Sequence, residues 1–198
     1  MSLCCWYMPL NPDLYVGDMV CVAHGKLQGQ ETIRVGHVKL PFYGTGMLVG
    51  IVNVVLPYGL ESLSFGGFSN QSMENVRLPF GLQNLSFGAC FDHSMDEVSL
   101  PSGLQNLSFG TNFNRSISNV VWPVGLQSLT LGGHFNQPMD NVALPSGLRS
   151  LTFGMRFNQC LDSVVLPSGL LSLTFGIGFN HSLDGVSASG GLEIVKLR

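Results

Sequence analysis

Residues 100–121 read LPSGLQNLSFGTNFNRSISNVV, and nearly the same string stands at 78–99 and again at 122–143. Pro57, Pro79, Pro101, Pro123, Pro145 and Pro167 keep this step, as do Gly59, Gly81, Gly103, Gly125, Gly147, Gly169 and Gly191. Leu60, Leu82, Leu104, Leu126, Leu148, Leu170 and Leu192 share it, and so do Val76, Val98, Val120, Val142, Val164 and Val186. Another column holds Asn70, Asn114, Asn136, Asn158 and Asn180, with Asp92 as its one substitute. A fixed period of roughly 20 to 50 residues marks a stacked repeat architecture.

Within the unit, Pro101 and Gly103 predict a turn, because proline fixes φ and glycine accepts positive φ. Leu104, Leu107 and Phe109 follow the LxxLxL pattern of a short strand, which Gly110 closes. Phe113, Ile117 and Val120 supply the apolar side chains of a return path too short and too rich in Ser and Asn for a long helix. Loop, 3₁₀ turns and at most a second short strand are expected there. One unit cannot bury its own apolar set, so stacked neighbours must cover it and complete its strand hydrogen bonds. The predicted fold is a β-rich, leucine-rich-repeat-like solenoid with one short parallel strand per rung and little α-helix.

The chain divides accordingly. Residues 1–33 form an N-terminal segment or cap that fits no repeat, and residues 34–55 a degenerate first repeat. In that repeat Val38, Tyr43, Gly44 and Val54 stand one period before Leu60, Phe65, Gly66 and Val76. Residues 56–187 hold six full units, and residues 188–198 a partial one ending in an edge strand.

The unit condenses to L-P-x-G-L-Q-x-L-[ST]-F-G-x-x-F-N-x-S-[ML]-D-x-V-x. With its LPxGL start, its LxF-G core and the pairs Phe135-Asn136 and Phe157-Asn158, the chain resembles the FNIP repeats, a 22-residue relative of leucine-rich repeats found in protist proteins. It departs from their pattern two places after Asn, where proline occurs only as Pro138. The resemblance implies a stacked solenoid used for interactions, often attached to other domains, and it implies no catalytic residues.

The composition fits a stack. Charged side chains make up 11% of the 198 residues, 9 Lys and Arg against 12 Asp and Glu, where about 25% is usual. In a ladder each position faces its own copy about 4.8 Å away, so a charge repeated in every unit would repel itself along the array. The column Gln83, Gln105, Gln127 is neutral, as are Ser128, Ser150, Ser172 and Thr130, Thr152, Thr174. One column breaks the rule: Glu74, Asp96, Asp140, Asp162 and Asp184, with Ser118 among them. Those carboxylates are expected to accept backbone N–H bonds in a turn. A row of cation ligands is the alternative, although no Gly-rich nonapeptide accompanies it. The Asn column is expected to bond along the ladder. The sequons at Asn70, Asn114 and Asn180 are a by-product of the repeat.

Several function classes fall away. A hydrophobic content of 45% does not suit a disordered chain. A net charge of −3 without a basic stripe argues against nucleic acid. The longest apolar stretch, Gly46 to Pro57, is broken by Asn53 and is shorter than the roughly 18 to 20 residues a membrane span needs. Cys4, Cys5, Cys21, Cys90 and Cys160 are odd in number and lack CxxC spacing, which suits reduced thiols. With no secretory signal in the N-terminal residues, a cytoplasmic location is expected.

Candidate chemistry is sparse. His93 and His181 share a column four units apart, about 19 Å by the strand spacing, and Cys90 and His134 lie two units apart, near roughly 10 Å. Neither pair can share a metal, whose ligands lie about 2 Å from the ion. Asp92, His93 and Ser94 are chain neighbours whose side chains diverge, and Gly176-Ile177-Gly178 lacks the rest of a dinucleotide fingerprint. No catalytic, cofactor or metal residue is assigned, and the chain is read as a non-enzyme.

The expected function is a scaffold for a protein partner, bound along the strand face and the post-strand loops. Its candidate residues are Gln83, Asn84, Gln105, Asn106, Ser108, Gln127, Ser128, Thr130, Arg149, Ser150 and Thr152 on the face, with His134 and Arg156 in the loops. Variation between units is greatest in the pair after each strand glycine and next in the ridge Gln71, His93, Arg115, Gln137, Gln159, His181. Partner readout and neutral drift are both open there. An ice- or ordered-surface-binding solenoid using the Ser/Thr rows is one alternative. A repeat fragment of a larger multidomain protein is another, against which Glu193, Lys196 and Arg198 place edge-protecting charges in the last strand.

Overall fold

The computed structural model describes residues 38–40, 56, 59–67, 69–184 and 191–197. The expected N-terminal cap at 1–33 lies outside these residues, as do Tyr43, Gly44, Val54 and Val186. Over residues 62–175 each unit supplies one strand where its small polar and large apolar side chains alternate. The strands are β1 (Val38–Leu40), β2 (Ser62–Phe65), β3 (Asn84–Ser86), β4 (Asn106–Ser108), β5 (Ser128–Thr130), β6 (Ser150–Thr152), β7 (Ser172–Phe175) and β8 (Glu193–Lys196). They pair in chain order as one parallel sheet. Leu63, Leu85, Leu107, Leu129, Leu151 and Leu173 point into the core, and the residues flanking them face outward.

From β2 to β7 paired residues stand one repeat period apart, as in Leu107 opposite Leu129. The two end steps differ. Val38 stands opposite Leu63 and Leu40 opposite Phe65, a step of 25. The longer step makes Leu40, and not Tyr43, the counterpart of Phe65, contrary to the alignment by the repeat period. At the other end Ser172 faces Glu193, a step of 21. Leu192 still packs against the core, but the strand after it runs one residue early, so Lys196 rather than Leu197 faces Phe175. Its ammonium lies 5.0 Å from the centre of the Phe179 ring and donates to the His181 carbonyl at 3.2 Å.

The return path consists of tight turns. In one rung Leu104 N–H donates to Pro101 O (3.0 Å), Phe113 N–H to Gly110 O (3.3 Å) and Val120 N–H to Ile117 O (3.4 Å). Pro101, Leu104, Phe113, Ile117 and Val120, which flank these turns, are all buried. Among the described residues the path carries the expected tight turns, each closed by an N–H bonded to the carbonyl three residues before it, and holds no second strand. No helix there is long and apolar enough to cross a membrane.

Two aromatic columns fill the core. Phe65, Phe87 and Phe109 stack with centroids 5.2 and 5.3 Å apart. The second column, Phe91, Phe113, Phe135, Phe157 and Phe179, repeats at 6.0 to 6.1 Å. Within a rung the two rings stack more closely, at 3.9 Å for Phe109 and Phe113. Leu131 interrupts the first column, which resumes with Phe153 and Phe175 at 5.4 Å.

Stacking this close explains the glycines. A Cβ on Gly110 would overlap the carbonyl of Gly88, and one on Gly132 the carbonyl of Gly110. The turn glycines need room as well: a Cβ on Gly125 would come within 2.8 Å of Ser102 O. Positive φ is not their reason, contrary to the expectation for Gly103, since among the described residues only Gly191 has it, at 115°.

Candidate functional site

The stack has two polar sides, built differently. On the return side the Asn column forms a continuous ladder. Asn114 Oδ1 accepts the backbone N–H of Asn136, Asn136 that of Asn158, and Asn158 that of Asn180, each at 2.9 Å. Asp92 serves the same purpose, accepting from Asn114 N–H at 3.0 Å, which is why a carboxylate can replace the amide there. Loop N–H groups that a strand would otherwise satisfy are thus paired by side chains.

The adjacent ridge is occupied in the opposite direction. Gln137 Nε2 donates to Asn114 O and Gln159 Nε2 to Asn136 O, both at 3.1 Å. Arg115 Nε donates to Asp92 O at 2.9 Å. His93 and His181 bring Nε2 to 3.2 Å from Asn70 O and Asn158 O. Every one of these side chains carries an N–H, and that shared property accounts for the variation among Gln, His and Arg. Arg115 adds an ion pair to Asp92 at 2.9 Å. These are rung-to-rung contacts, so variation in the ridge answers to the stack itself.

The acidic column behaves otherwise than expected. The turn N–H of Asp96 donates to Ser94 Oγ (3.2 Å) and that of Asp184 to Ser182 Oγ (3.1 Å). The serine two places earlier is therefore the acceptor, and the carboxylate is left to other partners. Asp140 Oδ1 accepts the Ser163 hydroxyl of the next rung at 2.5 Å. Asp96 Oδ1 is buried with no hydrogen-bond partner among the described residues. Among those residues no three His, Cys, Asp or Glu side chains could hold a metal ion together.

The strand side presents its outward residues in register: Asn106 opposite Ser128, Ser128 opposite Ser150, and Thr130 opposite Thr152. At its N-terminal end each amide donates to the preceding rung, Asn84 Nδ2 to Ser62 Oγ at 3.0 Å and Asn106 Nδ2 to Asn84 Oδ1 at 2.7 Å. An open depression runs across this part, from Ser62 and Ser64 past Ser86 and Ser108 to Thr130. Beyond Asn106, among the described residues, no side-chain hydrogen bond joins the rows of Ser128, Ser150, Ser172 and Thr130, Thr152, Thr174. Gln105, Gln127 and Arg149 are exposed at the strand entries and Gln83 is half-buried. Their backbone carbonyls hold the next rung, as when Gln105 O accepts from Gln127 N–H and Ser128 N–H at 2.8 and 3.0 Å.

The post-strand turns continue the ladder. His134 N–H donates to Thr111 O (2.7 Å) and Arg156 N–H to Gly133 O (2.9 Å), which puts these two candidates on adjacent rungs. The His134 side chain is half-buried and that of Arg156 exposed. The candidates thus occupy one side of the stack, with Arg156 and His134 along its exit edge and Arg149 at its entry edge. The sequence marks the ridge as variable but not its role as a row of rung-to-rung donors, although the shared N–H of Gln, His and Arg was the available signal.

Residues 69–109, 91–134 and 135–177 match the FNIP Repeat, together more than half of the chain. The chain belongs to the FNIP repeat family. No curated protein matches this FNIP chain. Among solved structures it is similar to the crystal structure of CroV588, described as a novel circular LRR protein structure, at 42% identity and a TM-score of 0.65. That likeness covers 72% of the FNIP chain and 21% of CroV588, so the chain spans about a fifth of that protein's length.

Proposed function

We propose that this FNIP stack is a non-enzymatic scaffold that binds a protein partner along its strand face and post-strand loops. The observation that carries the proposal is the contrast between its two polar sides. On the return side, the Asn and donor-ridge side chains are committed to the neighbouring rung. On the strand side, Gln105, Gln127, Ser128, Thr130, Ser150 and Thr152 stand in register with their hydrogen-bonding groups directed outward. A surface of ordered donors and acceptors on a rigid sheet suits recognition of a polypeptide. The family and the leucine-rich-repeat-like likeness support a scaffold. The cysteine pattern makes a cytoplasmic setting part of the same proposal.

Affinity capture from the native source tests it, comparing the wild-type chain with a Ser108→Trp/Thr130→Trp variant of unchanged circular dichroism. A partner bound by the wild type and lost from the variant is expected. No partner above background with the fold intact would count against it.

A further inference from the structure

Charge is sorted between the two sides in the middle of the stack, from residue 82 to 184. Outside that span Glu61 enters β2 and Glu193 opens β8 on the strand side, and Arg77 stands on the return side. The strand-side segments 82–90, 104–112, 126–134, 148–156 and 170–178 contain Arg149, Arg156 and His134 and no Asp or Glu. The return-side residues from 91 to 184 contain Asp92, Asp96, Glu97, Asp140, Asp162 and Asp184, with Arg115 as their single Lys or Arg. Arg115 is neutralised by Asp92. Arg149 and Arg156 are exposed, and their side chains have no hydrogen-bond or ion-pair partner among the described residues.

The two arginines bracket one strand. Arg149 enters β6 and Arg156 follows its exit turn, with Ser150 and Thr152 facing outward between them. At about 3.3 Å per residue, the backbone from Arg149 to Phe153 covers roughly 13 Å. Each arginine has exposed apolar company. Leu171, 51% exposed, is one rung along from Arg149, and Met155 and Ile177, 55% and 64% exposed, lie beside Arg156. Arginines beside apolar side chains, around a hydroxyl-lined floor whose own strands β6 and β7 carry no carboxylate, complement an anionic chain that also carries apolar groups. Glu193 of β8, opposite Ser172, bounds the site on that side.

We infer that the β6–β7 part of the strand face docks an acidic polypeptide segment, whose carboxylates pair with Arg149 and Arg156 and whose apolar side chains cover Leu171, Met155 and Ile177. This rests on the strand-face reading above and adds the chemistry of the partner. Two arginines without an aromatic residue on the face do not suit a nucleic acid, which needs several phosphate contacts and stacking platforms.

The test uses fluorescein-labelled nonapeptides with two Glu residues four or five positions apart and interspersed Leu, alongside versions with Gln or Lys in place of Glu. A single-stranded DNA oligonucleotide is the fourth probe. Fluorescence anisotropy is measured on the wild type, on Arg149→Glu/Arg156→Glu and on the face-blocked Ser108→Trp/Thr130→Trp/Thr152→Trp, each checked for unchanged circular dichroism. Glu peptides should bind the wild type, weaken as salt rises and lose at least tenfold on charge reversal. Equal binding of Gln peptides, insensitive to charge reversal but abolished by the blocked face, overturns the acidic partner while leaving the strand-face reading intact. Tighter binding of the oligonucleotide also overturns it. If no peptide binds, the acidic-partner inference fails and the strand-face reading stands or falls by affinity capture. If a peptide binds but blocking the face changes nothing, both readings fail.

Discussion

The return side and the strand side of the stack are both in-register polar columns, yet they respond to opposite demands. Asn136 is held from two sides, its Oδ1 accepting the next rung's N–H and its carbonyl receiving Gln159. Thr130 and Thr152 stand in register on adjacent strands, and among the described residues their side chains make no hydrogen bond. A repeat array thus separates the residues that make the rungs cohere from those free to contact something else, and it does so within each repeat unit.

Substitutions can break or sharpen that contrast. The largest effect is expected where the sides meet. Gly132→Ala would force a Cβ into the Gly110 carbonyl, and a loss of more than about 3 kcal/mol or failure to fold is expected by thermal or denaturant melting. Asn136→Ala leaves the Asn158 N–H without its acceptor and should cost about 1 to 2 kcal/mol in the same assay. Asn136→Asp, which copies Asp92, should recover most of that loss. For Gln159→Leu a destabilisation of about 0.5 to 1 kcal/mol is expected, while Gln159→Arg, with no arginine on either neighbouring rung of the ridge, should stay near wild type because Arg115 already makes the equivalent bond. Equal losses for the Leu and Arg variants would sink the donor explanation of the ridge. The smallest effect belongs to the strand face: Ser150→Ala/Thr152→Ala should stay within about 0.5 kcal/mol of wild type while weakening partner capture.

Much of this was legible in the sequence. Leucine and phenylalanine recurring at fixed positions of every unit dictated the core, because only a stack can bury them. The Asn ladder followed from one amide recurring in a loop that must pair its own N–H groups. The ends were less legible, since steps of 25 and 21 leave no repeated column to align. The acidic column misled because Ser94 and Ser182 compete successfully for the turn N–H of Asp96 and Asp184. The turn glycines misled for another reason: closeness to the previous rung's backbone, as at Gly125, explains them without positive φ. The candidate face was legible as a set of positions, but its sorting of charge emerged only once the two sides had been told apart.

The bonds linking like positions on successive rungs have a consequence for how such a chain can change size. Asn to Asn, Phe to Phe and Gly to Gly, each contact joins residues one full period apart, so the interior admits growth or shrinkage only in whole quanta of that length. Excising residues 113–134 would bring residue 135 into the phase of residue 113 and leave every column continuous. Removing one residue fewer would put the Phe, Asn and Gly columns out of step at once. The molecule's length is quantised in its middle, and odd increments are tolerated only at its two ends.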